Sequence, residues 1–164
     1  MSMMRPLTIA VAIAAALSTT QLAAGTSFRL EIGSAAALGA EKKFTKDSKK
    51  VVVAVRAVVC EDLANVKVTG TAEGLVNGKR QSLPLTLAVV NPAEAVYAIP
   101  QQWPENGTWV LHLKGSCSNP KAEASTLVAM SKTGFVRDRS VVLREPATRK
   151  QLEDAIADLA RSQS

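Results

Sequence analysis

The sequence predicts an all-β fold, an antiparallel β-sandwich followed by one short α-helix. Apolar stretches recur at intervals of about ten residues between turn signals, a spacing typical of sandwiches and barrels. Asn77-Gly78 separates two such stretches. It predicts a β-hairpin, because a two-residue type I′ turn needs positive φ at both positions. After Pro146 the apolar residues recur every three or four positions, which predicts a helix.

The first 25 residues are predicted to be a secretory signal peptide. Arg5 precedes an uncharged apolar run over 7–17, and Ala23-Ala24-Gly25 puts small residues at both positions that a signal peptidase inspects. The run is shorter than the roughly 20 apolar residues of a spanning helix, which favours cleavage over a membrane anchor. We therefore expect a secreted or periplasmic protein, cleaved near Ala24/Gly25, with no stable membrane insertion afterwards.

The 164 residues divide into four predicted parts. These are the signal peptide (1–25), an N-terminal strand with a basic loop (26–48), the β-sandwich domain (49–145) and a C-terminal amphipathic helix (147–161). Apolar residues make up 47% of the chain and aromatic residues only 4%, so we expect an aliphatic core. The net charge of +6 favours weak attraction to polyanions and says nothing about the fold.

Cys60 and Cys117 are the two cysteines, and in an exported chain they predict one disulfide. Cys60 ends the run 51–60, the longest stretch rich in β-branched residues, which we expect to be an interior strand. Cys117 is expected just past a strand that begins near Trp109. Two free buried thiols are the alternative.

His112 is the only histidine of the chain. In the strand that begins near Trp109, His112 alternates with Trp109, Leu111 and Leu113, so we expect it on the solvent side. General acid–base catalysis and zinc binding usually combine histidine with positioned partners. Phosphate-binding loops, nucleophile elbows and calcium loops are also missing from the sequence. The sequence therefore predicts no catalytic residue, no metal site and no cofactor.

Two features are candidates for ligand binding. One is a lysine cluster, which either docks on an acidic surface or forms a solvated loop that guards a strand edge. Its members are Lys42, Lys43, Lys46, Lys49 and Lys50. The other is Trp103, in a loop between Gln102 and Pro104, which either contacts a ligand or fills the end of the sandwich.

The C-terminal helix is predicted from a capping box and an apolar stripe. Thr148 and Gln151 have the spacing of the capping box. The stripe consists of Leu152, Ala155, Ile156 and Leu159. Because so short a helix is marginal alone in water, the stripe must rest on something. Its own sandwich, a partner helix or a second copy of the chain are the candidates, and fraying is the remaining alternative.

Part of the chain resembles an immunoglobulin-like domain. The resemblance rests on Cys60 at a strand end, Asn106-Gly107-Thr108-Trp109 before a late strand, and Cys117 beyond it, and covers about residues 48–145. It implies an immunoglobulin-like β-sandwich of a bacterial exported protein. In immunoglobulin domains the second cysteine lies inside the strand, whereas Cys117 is expected outside it. The resemblance transfers no functional residue.

Three functions follow as hypotheses. The first is an exported, non-enzymatic interaction or accessory module whose partner is another envelope protein or polymer. The second is a basic envelope protein that binds polyanions through the lysine cluster together with Lys79 and Arg80, although nucleic acid is not the expected partner. The third is a small secreted enzyme, which the missing catalytic motifs disfavour.

Overall fold

The computed structural model describes residues 27–40 and 51–163 of the chain. Within these ranges the chain forms two antiparallel sheets and one α-helix, which confirms the all-β sandwich with a C-terminal helix. Its immunoglobulin-like character stays a prediction. The strands are β1 (Arg29–Gly33), β2 (Val51–Val58), β3 (Lys67–Val76), β4 (Lys79–Pro84), β5 (Ala88–Asn91), β6 (Val96–Pro100), β7 (Thr108–Ser118), β8 (Lys121–Ser131), β9 (Gly134–Phe135) and β10 (Val141–Leu143). The helix is α1 (Arg149–Gln163).

The first sheet has the strand order β1-β2-β6-β5, and the second has the order β10-β8-β7-β3-β4 with β9 paired to β8. Strand β2 therefore lies inside its sheet, as its β-branched sequence predicts. The hairpin between β3 and β4 turns at Asn77 and Gly78, whose φ values are 50° and 75°. Both values are those that the predicted type I′ turn requires.

The main core fills the space between the two sheets. From β7, Trp109, Leu111 and Leu113 point into it, and Val53 and Val55 of β2 come from the opposite sheet. All five side chains are buried, which confirms the alternation predicted for β7. One polar bond also joins the layers, since the buried Thr126 hydroxyl donates to the Leu30 carbonyl oxygen at 3.0 Å.

A second apolar cluster lies on the outer face of the second sheet, under α1. Ile156 and Leu159 are buried there against Val110 of β7 and against Leu127 and Ala129 of β8. The other two members of the predicted stripe, Leu152 and Ala155, are partly buried against the same cluster. The helix therefore packs on its own sandwich.

The start of α1 has the predicted capping geometry. The Thr148 N–H donates to Gln151 Oε1 at 2.8 Å, and the Gln151 N–H donates to Thr148 Oγ1 at 3.2 Å. Lys150 and Asp154 form the expected ion pair, at 2.6 Å. The helix begins at Arg149 and ends at Gln163, two residues later at each end than the predicted 147–161.

Candidate functional site

The predicted disulfide joins Cys60 to Cys117, with 5.8 Å between the Cα atoms. Cys60 follows β2 of the first sheet, and Cys117 belongs to β7 of the second, so the bridge links the two layers. The expectation that Cys117 lies outside its strand is wrong. Strand β7 continues to Ser118, because its pairing with β8 runs on to Ser118 opposite Lys121.

The prediction that His112 is a surface histidine is wrong, because only 8% of the residue is exposed. The alternation along β7 places it on the outer face of the sheet, as expected. That face is not open to solvent at this position, because the linker before α1 and the start of α1 lie over it. Within the sheet, His112 is flanked by Thr71 of β3 and Leu127 of β8.

A cleft of about 360 Å³ lies where the start of α1 meets the outer face of the second sheet. We refer to it as the helix–sheet cleft. The sheet contributes Glu73 from β3, Arg80 from β4 and His112 from β7. The linker and the first turns of the helix contribute Ala147, Thr148, Arg149, Leu152 and Glu153.

A side-chain hydrogen bond fixes the linker over the sheet. The Ala147 N–H donates to the hydroxyl of Ser125, a buried residue of β8, at 3.0 Å. One residue further, the Thr148 carbonyl oxygen accepts from the Leu152 N–H at 3.2 Å, which starts the helix. The position of the helix start, and with it one wall of the helix–sheet cleft, therefore depends on Ser125.

The acidic groups of the cleft are paired with Arg80. Its guanidinium lies 3.0 Å from Glu153 and 3.6 Å from Glu73, and it also donates to the Gly74 carbonyl oxygen at 3.1 Å. Glu73 accepts a further hydrogen bond from the Ser82 hydroxyl at 2.7 Å. Arg80 is thus engaged by two carboxylates, which weakens its assignment to a polyanion-binding surface.

His112 Nε2 is buried and has no hydrogen-bond partner among the described residues. Burial lowers the pKa of the imidazole below its ordinary value of 6.5; the nearby charge of Lys114 lowers it further, and Glu73 opposes both effects. At neutral pH the ring is therefore uncharged. A buried polar atom without a partner costs free energy, so a ligand that bonded to it would recover part of that cost.

Arg149 is the second unpaired group of the cleft. Its side chain is exposed and makes no hydrogen bond or ion pair with the described part of the chain. The backbone N–H groups of Arg149 and Lys150 also have no partner among the described residues. The first N–H groups of a helix lack partners within it and favour negative charge. The cleft can therefore bind a hydrogen-bond acceptor or an anion.

The structure places the other candidates elsewhere. Trp103 is 7% exposed and packs in the main core. This position agrees with the interpretation that Trp103 fills the end of the sandwich. The lysine cluster lies outside the described residues. No motif or spacing in the sequence singles out Glu73 or Arg149. The signal that could have found them was the predicted apolar stripe of α1, which had to pack on the outer face of a sheet and so bring the start of the helix next to it.

Three further findings bear on the site. Over residues 27–40 and 51–163, no group of three or more His, Cys, Asp or Glu side chains could hold a metal ion. Within the same ranges, no helix has the length and apolar character that crossing a membrane requires. Comparison with protein-family models, curated proteins and solved structures found no match.

Proposed function

We propose that the chain is an exported, non-enzymatic binding module of the bacterial envelope. The disulfide between Cys60 and Cys117 supports export, since such bonds persist in oxidising compartments. The leader-like pattern of the first 25 residues points the same way. The sandwich supplies a rigid body, and another envelope protein or polymer is the partner.

The observation that carries the binding role is His112, which lines the helix–sheet cleft and whose buried Nε2 has no partner in the described part of the chain. A polar atom that is buried without a partner is rare in folded proteins and calls for a specific explanation. Arg149 adds an unpaired cation at the same place. Binding clefts commonly combine an apolar wall with a few polar groups, and here Leu152 and Ala147 form the apolar part.

Export is tested by expressing the full chain with its leader and analysing the purified protein by intact mass spectrometry. The proposal expects an amino terminus at Gly25 or Thr26 and a mass two hydrogens lower than that of the dithiol. An intact Met1 together with two alkylatable thiols in native material would overturn it. Cells grown with a reducing agent provide the control for the thiol state.

Binding is tested with a photo-crosslinking amino acid in place of Glu153, which lines the cleft with a side chain that is 42% exposed, in the cells that naturally produce the protein. The matched control carries the same amino acid in place of Arg161, whose side chain is 72% exposed near the far end of α1. We expect a discrete crosslinked species at position 153 that is missing at position 161. Equal crosslinking at both positions, or none at either, would contradict a partner in the helix–sheet cleft.

A further inference from the structure

We infer that the helix–sheet cleft binds a small carboxylate, as a free organic acid or as the end of a larger ligand. This inference rests on the proposed binding function and names its ligand chemistry. Three groups at the cleft lack partners among residues 27–40 and 51–163: the buried His112 Nε2, the Arg149 guanidinium, and the first N–H groups of α1. All of them can donate hydrogen bonds, and the guanidinium and the helix terminus also favour negative charge.

The charges around the cleft favour one negative charge over two. Arg80 and Arg149 bring two positive charges, and Glu73 and Glu153 bring two negative ones. With a neutral His112 the side chains that line the cleft sum to zero, and Lys114, whose charge also acts on His112, brings the sum to one positive charge. The start of α1 adds a partial charge of about +0.5. This positive charge suits one carboxylate. A phosphate monoester carries about −1.5 to −2 charges, and Glu73 and Glu153 would repel it because Arg80 neutralises them only in part.

Arg80, Arg149 and His112 have separate roles in the cleft. Arg80 holds Glu73 and Glu153 in ion pairs, so both carboxylates are engaged on one side of the cleft. Arg149 is free to form the two parallel hydrogen bonds that a guanidinium makes with a carboxylate. His112 Nε2 donates to the ligand when it carries the ring proton, which ends its unpartnered state. Binding therefore selects one tautomer of His112.

The test is a nuclear magnetic resonance titration of the mature, oxidised protein without a histidine tag. His112 is the only histidine, so its ring signals need no assignment. Sodium acetate is added at constant ionic strength maintained with sodium chloride, and inorganic phosphate is titrated in parallel. We expect the His112 signals to shift saturably with acetate and to shift less with phosphate. We also expect acetate to raise the pKa of His112, because a bound anion favours the charged ring.

Two glutamine variants provide a matched pair. Arg149→Gln removes the unpaired guanidinium, and we expect it to weaken acetate binding by about tenfold, the effect of one charge-assisted hydrogen bond. Arg161→Gln removes the same charge near the far end of α1, from a side chain that is 72% exposed and paired with Asp158. We expect Arg161→Gln to change the affinity less than twofold. Equal losses in both variants would show a general charge effect and would overturn the site.

A third variant separates binding from folding. His112→Leu removes the unpartnered nitrogen, so we expect it to keep or raise stability while acetate no longer shifts the backbone amides of Arg149 and Lys150. Retained acetate shifts in this variant would contradict a bond to His112. A peptide with a free carboxyl terminus is then compared with its amidated form. Binding of the free form alone supports recognition of the carboxylate, and equal binding of both forms overturns it.

The outcomes distinguish this inference from the proposed function. If crosslinking at position 153 captures a partner while neither acetate nor a free carboxyl terminus shifts the His112 signals, the proposed binding module is supported and the carboxylate ligand is rejected. If phosphate shifts His112 more than acetate, the cleft binds anions of higher charge, and the charge argument is wrong. If acetate binds but no partner is captured, the ligand is a small molecule.

Discussion

The Ala147 N–H donates a hydrogen bond of 3.0 Å to the Ser125 hydroxyl, and this bond ties the linker to the second sheet. The two residues are 22 positions apart in the chain. Their contact holds the linker beside the start of α1, which lines the same cleft as His112. A side chain of β8 thus shapes a cleft that it does not itself line.

Replacing Ser125 by alanine is expected to destabilise the protein by about 1–3 kcal/mol. The substitution leaves the partly buried Ala147 N–H without a partner, and such a group incurs its full desolvation cost. Urea unfolding measures the loss. Ser82→Ala is the control: its hydroxyl also makes a hydrogen bond, to Glu73, but the residue is exposed. Equal losses in the two variants would show that the linker bond has no special role.

The docking of α1 on its own sheet predicts a large cost for Ile156→Ala. Ile156 is 1% exposed, and removing such a side chain from a core costs about 2–5 kcal/mol. Asp154→Ala, on the exposed side of the helix, is expected to cost less than about 0.5 kcal/mol. Chemical denaturation at two protein concentrations checks both values. An Ile156→Ala variant of unchanged stability with an altered oligomeric state would show that the stripe packs on another chain.

The disulfide is expected to contribute about 4 kcal/mol to stability. It closes a loop with a sequence separation of 57 residues, and the chain-entropy relation gives this magnitude for such a loop. The comparison is between the oxidised protein and the variant with Cys60→Ala and Cys117→Ala, both unfolded in urea. A difference below about 1 kcal/mol would contradict the entropic account.

Because His112 is buried, we expect the free energy of unfolding to fall as the pH drops below about 6.5. Its pKa in the folded protein lies below the ordinary value, so the unfolded chain binds the proton more readily. The contribution is therefore fully present above pH 6.5 and decreases below it, by at most about 1.4 kcal/mol per pH unit. The charged groups around the ring come from β3, β4, β7 and α1: Glu73, Arg80, Lys114, Arg149 and Glu153.

Unfolding of the His112→Leu variant between pH 7.5 and 5 measures this contribution. The variant is expected to lose most of the slope that the native protein shows. Glu31 does not interfere, because its hydrogen bonds to Arg56 and Arg29 lower its pKa below the ordinary 4.5. Its contribution is lost only at more acidic pH. An unchanged slope in the variant would assign the pH dependence to other groups.

Features that depend on neighbouring residues were predictable from the sequence. The turn at Asn77 and Gly78 follows from the φ values that these residues tolerate, and the start of α1 follows from the capping box of Thr148 and Gln151. The alternation along β7 correctly predicted that Trp109 lies on the buried face of the strand. In each case the interactions that decide the structure lie within a few positions of each other.

Features that depend on packing between distant elements were not predictable. His112 has the sequence pattern of an exposed strand residue, and only the placement of the linker and α1 over β7 buries it. Cys117 lies inside its strand because β8 continues to pair with it, which the local sequence around Gly115 does not indicate. The helix–sheet cleft combines both effects. Its residues come from β3, β4, β7 and α1 and share no motif.

The most direct test of this account is the pKa of His112 in the mature, oxidised protein, measured from the single pair of histidine ring signals. We expect a pKa clearly below 6.5, because the ring is buried next to the start of α1. A pKa at or above 6.5 in the absence of added carboxylate would show that burial does not control the protonation of the ring. It would contradict the covered, unpartnered His112 on which the helix–sheet cleft depends.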